Sequence, residues 1–177
     1  MSVTLSAPKT PYPPDIDPDV TAPNSLDDAV DLRVENGDFS NSRALRSSLR
    51  RVELHLCRLT GIELAEAVWN DVVLTECRGD YAGLRNAKLE RVVFRDCRLE
   101  EADFGGASLV DVVFERCVLR RASFAGCRND RLQLVGCDLA ELVGVEALRG
   151  AWMPWADIVE NGPLFAQALG IQVLADE

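Results

Sequence analysis

Five cysteines recur at intervals of twenty residues and are the most conspicuous reactive side chains: Cys57, Cys77, Cys97, Cys117 and Cys137. Thiolates bind zinc or act as redox groups, but zinc sites usually place paired cysteines about two to four residues apart. If the chain coils with a period of twenty, these thiols instead meet inside an apolar layer. Burial raises the pKa of a thiol and makes it inert, so that it packs as a small hydrophobic group. We interpret the cysteines as core residues, with a thiol metal or redox site as the alternative.

The one histidine, His55, is the other residue that could take part in catalysis. A Ser–His–Asp or Cys–His arrangement would have to use it, and nothing in the sequence places a nucleophile beside it. The sequence contains neither G-x-x-x-x-G-K-[ST] nor a G-x-G-x-x-G that follows a strand, the motifs that bind phosphate groups. We therefore predict no catalytic, cofactor-binding or metal-binding residues and no cofactor, and thus a protein that is not an enzyme.

The elements that would position these side chains follow a period of five. From Leu49 to Leu139, every fifth residue is Leu, Phe or Trp at seventeen of nineteen positions, with Gly79 and Asn129 as the exceptions. From Leu54 to Phe124, the residue two places before each of them, such as Val52, is small or β-branched. This spacing fits neither the period of a helix nor the alternation of a long strand. It predicts short extended sides joined by corners, with local faults or bulges on one side of a coil at the two exceptions and a register that blurs before Leu49.

Two neighbouring stretches indicate that four sides make one coil. VVFRDCRLEEADFGGASLVD covers residues 92–111, and VVFERCVLRRASFAGCRNDR covers residues 112–131. Val, Phe and Cys recur in them at the same places, twenty residues apart. We therefore expect residues twenty apart to stack along a solenoid axis at about 4.8 Å, the spacing of neighbouring strands, so that each coil buries the inner layer of the next.

The pattern of a small residue, any residue, Leu or Phe, and two further residues resembles the pentapeptide-repeat family. The segments CRLEEADFGGASL and CDLAEL are close to its A-(D/N)-L-x-x consensus, and the resemblance extends over about residues 47–143. It implies an all-β fold, a right-handed quadrilateral β-helix, here of about five coils. It implies less about function, because members share mainly these structural positions. Some members are acidic rods that resemble duplex DNA and protect DNA gyrase from quinolones, and in some a C-terminal helix forms a dimer.

The pattern divides the chain into three regions. Residues 1–25 hold six of the eight prolines and are predicted to be a disordered, acidic leader. Residues 26–149 form the solenoid, in which the alternating run 30–35 supplies an edge strand at the start. Residues 150–177 lose the period of five and are predicted to form a helical cap over the last coil. In the cap we expect helices over residues 156–160 and 163–170 and a final strand over residues 171–174.

Two groups of apolar residues are candidate contact sites for a partner. In the cap, Trp152, Trp155, Leu164 and Phe165 would cover the last coil or form a homodimer. On the solenoid, three valines should project outward from consecutive coils. They would stabilise the strands by stacking or offer an apolar strip to a partner or second subunit. These valines are Val73, Val93 and Val113.

The charge pattern separates the classes of partner. The net charge of −10 argues against nucleic acid as a direct ligand. Residues 41–149 nevertheless hold seventeen acidic and seventeen basic residues, and the row Asp71, Arg91, Asp111, Arg131 alternates in sign. We therefore expect an ion-paired solenoid surface, unlike the continuous negative charge of duplex DNA.

These observations favour a non-catalytic function. We predict a rigid platform for interaction with a protein partner that the sequence does not identify, and a homodimer through the cap is left open beside the capping role of the same residues. The alternative is a DNA-mimicking protector or inhibitor of DNA gyrase. The sequence has no run of about eighteen apolar residues and no N-terminal secretory signal, so we expect no membrane association and a cytoplasmic location.

Overall fold

The computed structural model describes residues 7–15, 26–172 and 174, and it confirms the predicted β-solenoid. The strands begin at intervals of twenty residues, and each pairs in parallel with the strand of the next coil. Val52, Val72, Val92 and Val112 are consecutive partners in this register. The first five strands are β1 Asp28–Glu35, β2 Ser48–His55, β3 Val68–Thr75, β4 Lys88–Arg95 and β5 Ser108–Glu115.

The two series of inward residues form one continuous core from Leu26 to Leu148. Aromatic rings stack on their counterparts one coil away: the ring centroids of Phe94 and Phe114 are 4.8 Å apart, and those of Phe104 and Phe124 are 4.9 Å apart. Rings on neighbouring sides meet edge to face, as Phe104 and Phe114 do at 5.6 Å. Such pairs add to the stabilisation from buried area, and this explains why Phe follows Phe at intervals of twenty.

Each corner of the coil is a residue in the left-handed backbone conformation. It lies two places after a central residue, and at the non-glycine corners φ lies between 51° and 60°. Most L-residues avoid this region, which Asn, Asp and Gly tolerate best. Corners of successive coils form rows along the solenoid. One of these, which we call the Asp–Arg row, consists of Asp31, Arg51, Asp71, Arg91, Asp111 and Arg131.

The two exceptions to the period of five differ from the predicted bulges. Gly79 keeps its place in the ladder, since its N–H donates to the carbonyl of Arg98 at 2.7 Å. Its lack of a side chain leaves room for Leu99, because a Cβ on Gly79 would lie 3.0 Å from Leu99 Cδ2. Asn129 pairs in register with Leu109, but the strand ends at the next residue. The prediction of a bulge is therefore wrong at Gly79, whereas Asn129 marks a break in the strand.

The start of the solenoid is more regular than the sequence indicated. Phe39 and Ala44 occupy central positions with exposed fractions of 3% and 1%, and parallel bridges continue the ladder on both sides of them. The first strand begins at Asp28, two residues before the predicted edge strand. The register does not blur, because backbone pairing maintains it even where the central side chain is as small as alanine.

The C-terminal end departs from the regular coil. Two short strands, β6 Arg128–Asp130 and β7 Gln133–Val135, replace a full strand and pair with β5. Trp152 forms a parallel bridge with Gln133, so the ladder extends past the predicted boundary at residue 149. A 3₁₀ helix covers Val145–Leu148, and two short helices follow, α1 Trp155–Glu160 and α2 Gly162–Ala168.

Two further features of this end can be compared with the predictions. The helices begin and end within two residues of the predicted bounds. The predicted final strand is not present at residues 171, 172 and 174, and residue 173 lies outside the described residues.

In the described part of the chain, no helix has both the length and the apolar character needed to cross a membrane.

Part of the leader is ordered on the solenoid, which corrects the prediction of disorder for residues 7–15. The backbone N–H groups of Lys9, Tyr12 and Asp15 donate to aspartates in the solenoid. Four prolines within the segment fix φ, so that less conformational entropy is lost when it docks. Residues 1–6 and 16–25, which make up the rest of the predicted leader, lie outside the described residues.

Candidate interaction surfaces

The five cysteines at intervals of twenty lie one above another in the core, each with an exposed fraction of 8% or less. Every thiol faces two backbone carbonyl oxygens. For Cys97, the Sγ atom lies 3.3 Å from the oxygen of Arg95 and 3.6 Å from that of Leu74. Among the described residues, no group of three or more His, Cys, Asp or Glu side chains is arranged to hold a metal ion. The geometry favours the packing interpretation of this ladder.

The environment of the thiols favours their protonated form. A hydrogen bond with the neighbouring thiol, together with burial, raises the pKa of Cys57, Cys97 and Cys137. At Cys77 and Cys117, hydrogen bonds with the thiols above and below oppose the effect of burial on the pKa. Only a protonated thiol can donate to a carbonyl oxygen, however, and a thiolate would be repelled by it. We therefore expect the ladder to stay protonated and unreactive in the folded protein.

His55 lies half-buried at the end of β2, beside a shallow depression of about 250 Å³. The lining includes Arg33, Glu53 and Thr75, and it contains no serine or cysteine. His55 and Thr75 are paired in the ladder of β2 and β3, but no side-chain hydrogen bond within the described part of the chain joins them. The depression therefore lacks the paired nucleophile and base that nucleophilic catalysis requires.

The three valines of the candidate strip lie on top of one another in the ladder of β3, β4 and β5. Val93 has an exposed fraction of only 8%, and Val73 and Val113 are half-buried. Little apolar area is thus exposed there. This burial favours stacking as the role of these side chains, and a partner-binding strip remains a prediction.

Ion pairs connect neighbouring coils over the described solenoid surface. Ten of them join residues twenty positions apart. Arg95 and Glu115 form one, with Nε and Oε2 2.8 Å apart, and Arg116 and Asp96 form another at 2.7 Å. Acidic and basic side chains therefore neutralise one another from coil to coil, as the alternating signs in the sequence indicate.

The Asp–Arg row contains the most buried of these pairs. The Nε and Nη2 atoms of Arg91 donate to both carboxylate oxygens of Asp71, at 2.6 and 3.0 Å. Arg131 binds Asp111 in the same two-pronged way, at 2.5 and 2.9 Å. The exposed fractions of Asp71 and Asp111 are only 7% and 2%. Two-pronged pairs of this kind are the stronger form of the arginine–carboxylate interaction.

The leader residues 7–15 lie against this row. The N–H groups of Asp15, Tyr12 and Lys9 donate to the Oδ1 atoms of Asp31, Asp71 and Asp111, respectively, at 3.0, 3.1 and 3.0 Å. The hydrogen bonds from Arg51 and the Asp15 amide hold the pKa of Asp31 down at about 2. The hydrogen bond from Arg131, aided by the Lys9 amide, likewise lowers the pKa of Asp111. At Asp71, burial raises the pKa, but Arg91 and the Tyr12 amide outweigh it, and the net pKa is lowered.

This contact is not predicted from the sequence, although both of its components are visible there. The alternation of Asp and Arg predicts a neutral surface, and the proline-rich leader is predicted to be disordered. The overlooked signal is the spacing of Pro8, Pro11 and Pro14, which recur every third residue. That is the number of residues in one turn of a polyproline II helix.

The four apolar residues of the predicted cap divide into two groups. Leu164 and Phe165 of α2 pack against the core, and Trp152 joins the last coil through backbone pairing. Trp155 points the other way and has an exposed fraction of 77%. On α1 it is followed at helical spacing by Ile158 and Val159, which are also exposed. We call the surface formed by Trp155, Ile158 and Val159 the cap face.

Helix α1 is held in a fixed orientation on the solenoid. The Oδ2 atom of Asp157 accepts a hydrogen bond at 2.6 Å from the N–H of Gly136, the residue that follows β7. The side chain of Asn161 donates to the carbonyl of Asp157 at the end of the helix. The cap face is therefore presented by an anchored helix, although three large apolar side chains in it remain uncovered.

Comparison with solved structures shows similarity to other repeat proteins. A trypsin-treated variant of QnrB1, a plasmid-mediated fluoroquinolone resistance protein, is 18% identical with a TM-score of 0.42, over 81% of this chain and 92% of that one. A pentapeptide-repeat protein from the Arabidopsis thaliana thylakoid lumen is 18% identical with a TM-score of 0.25, over 72% of this chain and 74% of that one. HetL from the cyanobacterium Nostoc, described as involved in the regulation of heterocyst differentiation, is 15% identical with a TM-score of 0.26, over 70% and 87%.

The comparison of sequences agrees with the repeat. Residues 47–124 match the family model described as "Pentapeptide repeat region". No curated protein sequence gives a significant match. The period of five, the register of twenty and the family match coincide in the same part of the chain, so residues 47–124 carry a region similar to the pentapeptide-repeat family.

Proposed function

We propose that the protein is a non-catalytic interaction platform that associates with a second copy of itself through the cap face. The observation that carries this proposal is the exposure of Trp155 and Val159, at 77% and 61%, on a helix that Asp157 anchors to the solenoid. Large apolar side chains that cluster at an exposed surface mark association sites, and tryptophan is enriched at the centres of interfaces. A packed core behind the helix makes the platform rigid.

A second copy suits this surface better than a charged partner. The cap face consists of apolar side chains, and two such faces related by a two-fold axis are self-complementary without any matching of opposite charges. Residues 150–177 contain four acidic and no basic residues. Glu160, on the same helix, is exposed, and an acidic group at the rim would remain in water while the apolar centre is buried, which is the usual anatomy of an interface.

The mass of the protein in solution tests the proposal. We expect light scattering after size exclusion to show a dimer at micromolar concentration, and Trp155→Glu to give a monomer because it places a charge in the apolar centre. Tyr81→Glu is the matched control. Tyr81 has an exposed fraction of 59% at a solenoid corner, and Glu101 occupies the same corner one coil later. A monomeric parent protein, or a Trp155→Glu protein that remains dimeric, would contradict self-association through this face.

DNA mimicry directed at gyrase is the alternative function, and the surface charges argue against it. Mimicry requires rows of negative charge comparable with the duplex, whereas Asp71, Asp96 and Asp111 are each neutralised by an arginine of the adjacent coil. We therefore expect no protection of gyrase supercoiling from a quinolone when this protein is added in stoichiometric amounts. Clear protection in that assay would reverse the ranking of the two functions.

A further inference from the structure

The Asp–Arg row repeats one hydrogen-bonding arrangement three times. In each repeat, a single carboxylate oxygen accepts both the Nε–H of an arginine in the next coil and a backbone N–H of the leader. At Asp71, for example, Oδ1 lies 2.6 Å from Arg91 Nε and 3.1 Å from the nitrogen of Tyr12. A geometry that recurs at three positions along the rod indicates a built site rather than a chance contact.

The leader and the row have matching periods. The bound residues of the leader are three positions apart, and each step of three crosses two coils of the solenoid. Three residues of a polyproline II helix rise about 9.3 Å, and two coils at the spacing of β-strands rise about 9.6 Å. An extended proline-rich segment can therefore keep in phase with the aspartates over the whole row. Three residues of an α-helix rise only about 4.5 Å, and in a β-strand the rise is similar but groups three residues apart face opposite sides.

The prolines also select which backbone groups the leader presents. Within residues 8–15, positions 8, 11, 13 and 14 are proline and lack an N–H group. Of the four N–H groups that remain, those of Lys9, Tyr12 and Asp15 are the ones that bind aspartates. The Tyr12 ring adds a contact with the Arg91 guanidinium, whose carbon lies 6.0 Å from the ring centroid.

We propose that the Asp–Arg row is a binding site for polyproline II peptides that present a backbone N–H at every third residue. The chain's own residues 9–15 occupy this site. The aspartates recognise the spacing of the N–H groups, and Arg91 recognises an aromatic ring beside the middle one. The site lies along a side of the solenoid, apart from the cap face, and it does not depend on the function proposed above.

A second corner row provides an internal control. Asp96 is also a left-handed corner residue, with φ 53°, and Arg116 binds it at 2.7 and 2.8 Å. Glu115 flanks Arg116 as Glu90 flanks Arg91. The pair of Asp96 and Arg116 therefore has the same hydrogen-bonding geometry as the pair of Asp71 and Arg91, but it is more exposed, and no leader amide among the described residues donates to Asp96.

Trypsin digestion of the native full-length protein tests the docking. Lys9 is the first basic residue of the chain, and the next is Arg33. Cleavage after Lys9 therefore reports release of the leader, and mass spectrometry measures its rate. We expect Asp71→Gly to accelerate this cleavage about tenfold, as the loss of a hydrogen bond to a charged group predicts. Asp96→Gly should leave the rate within about twofold of that of the parent protein, because it removes a matched ion pair that the leader does not contact.

Glycine is the appropriate replacement because it adopts the left-handed conformation without strain. Gly61, Gly106 and Gly126 already occupy corners of this solenoid, so both variants are expected to fold. Equal cleavage rates in the parent protein and both variants would overturn the proposal. Amide exchange measured by NMR gives a second readout, in which the N–H groups of Lys9, Tyr12 and Asp15 should exchange more slowly than that of Thr10.

Binding in trans tests the recognition of peptides directly. In a full-length Tyr12→Pro variant, the middle N–H of the leader is lost while the leader stays extended. We therefore expect the leader of this variant to dissociate from the Asp–Arg row. A labelled peptide of residues 7–15, APKTPYPPD, should then bind, as measured by fluorescence polarisation. The same peptide with proline in place of tyrosine should not bind, and Asp71→Gly in the variant should abolish binding. Absence of binding at millimolar peptide, or equal binding of both peptides, would overturn the assignment.

Discussion

The middle of the solenoid and its C-terminal end are built from the same repeat, but their apolar side chains are covered in different ways. In the middle, Phe104 and Phe114 are fully buried because a nearly identical coil covers each from both sides. At the C-terminal end, β6 and β7 are only three residues long, and no further coil follows them among the described residues. Helices replace the next coil, and Trp155 and Val159 remain exposed. A repeat can therefore specify its own interior but not its own ends.

Asn129 marks the change from one arrangement to the other. It occupies a position where the repeat would place Leu or Phe, and its side-chain N–H₂ group donates to the carbonyls of Ala147 and Arg149 at 2.6 and 3.2 Å. These carbonyls lie at the end of the 3₁₀ helix that begins the cap. An apolar residue would continue the core but leave the two carbonyls without the amide of Asn129. The interruption of the repeat therefore stabilises the cap.

Truncation of an aromatic residue in the middle should have the largest effect on stability. Phe104→Ala removes a ring that stacks on Phe124 and meets Phe94 and Phe114 edge to face. We expect the free energy of unfolding to fall by about 3–5 kcal/mol, because the surrounding coils cannot collapse into the cavity. Urea unfolding followed by circular dichroism measures this change.

Trp155→Ala provides the comparison at the other end. Its side chain is larger than that of Phe104 but is mostly exposed. The change in unfolding free energy of the monomer should stay within about 0.5 kcal/mol. A loss as large as that for Phe104→Ala would mean that the cap is as tightly packed as the middle, contrary to the exposure of Trp155.

Restoration of the repeat at Asn129 should destabilise the protein. Asn129→Leu matches the sequence pattern, but it removes both hydrogen bonds to the cap. We expect a loss of about 1–2 kcal/mol in the free energy of unfolding, since the two carbonyls then lack a partner. The same unfolding experiment checks this, and an increase in stability would show that core continuity outweighs the contact with the cap.

Thiol labelling should distinguish the two regions residue by residue. Cys127, close to the break in the strand, is only half-buried, and burial raises its pKa to about 11. We expect a maleimide to modify it slowly in the native protein, and the ladder cysteines far more slowly still. Mass spectrometry of digested samples over time would show the order, and rapid labelling of Cys97 and Cys117 would contradict the packing interpretation of the ladder.

Acidic pH should gradually lower the stability of the middle of the solenoid. The pKa values of Asp71, Asp96 and Asp111 are lowered in the folded protein, and that of Asp31 is lowered from 3.8 to about 2. A carboxyl group whose pKa is lowered by folding contributes stability above its unfolded pKa, and that contribution is lost as the pH falls through the folded value. The melting temperature should therefore change little through these groups between pH 7 and 5 and fall below about pH 4. Circular dichroism melts at each pH measure it, and a rise in the melting temperature below pH 4 would contradict the role of these pairs.

The repeat, the register and the core could be predicted from the sequence because each is a periodic pattern of apolar residues. A period of five with a small residue two places earlier indicates short extended sides joined by corners, and identical residues twenty apart indicate four sides to a coil and identify the strand partners. The role of the individual exceptions could not be predicted in this way. Gly79 and Asn129 break the pattern equally in the sequence, yet one makes room for Leu99 and the other binds the cap.

The sequence by itself thus determined which residues stack on one another in successive coils, since hydrophobic burial between coils depends only on residue types and their spacing. The tertiary structure decided which surfaces remain free. It placed Trp155 outward and Phe165 inward on adjacent short helices, and it brought Tyr12 to Asp71, 59 positions away in the chain. The contact between the leader and the solenoid requires that three residues of the leader span the same length as two coils. The coils have a defined spacing only after the chain has folded.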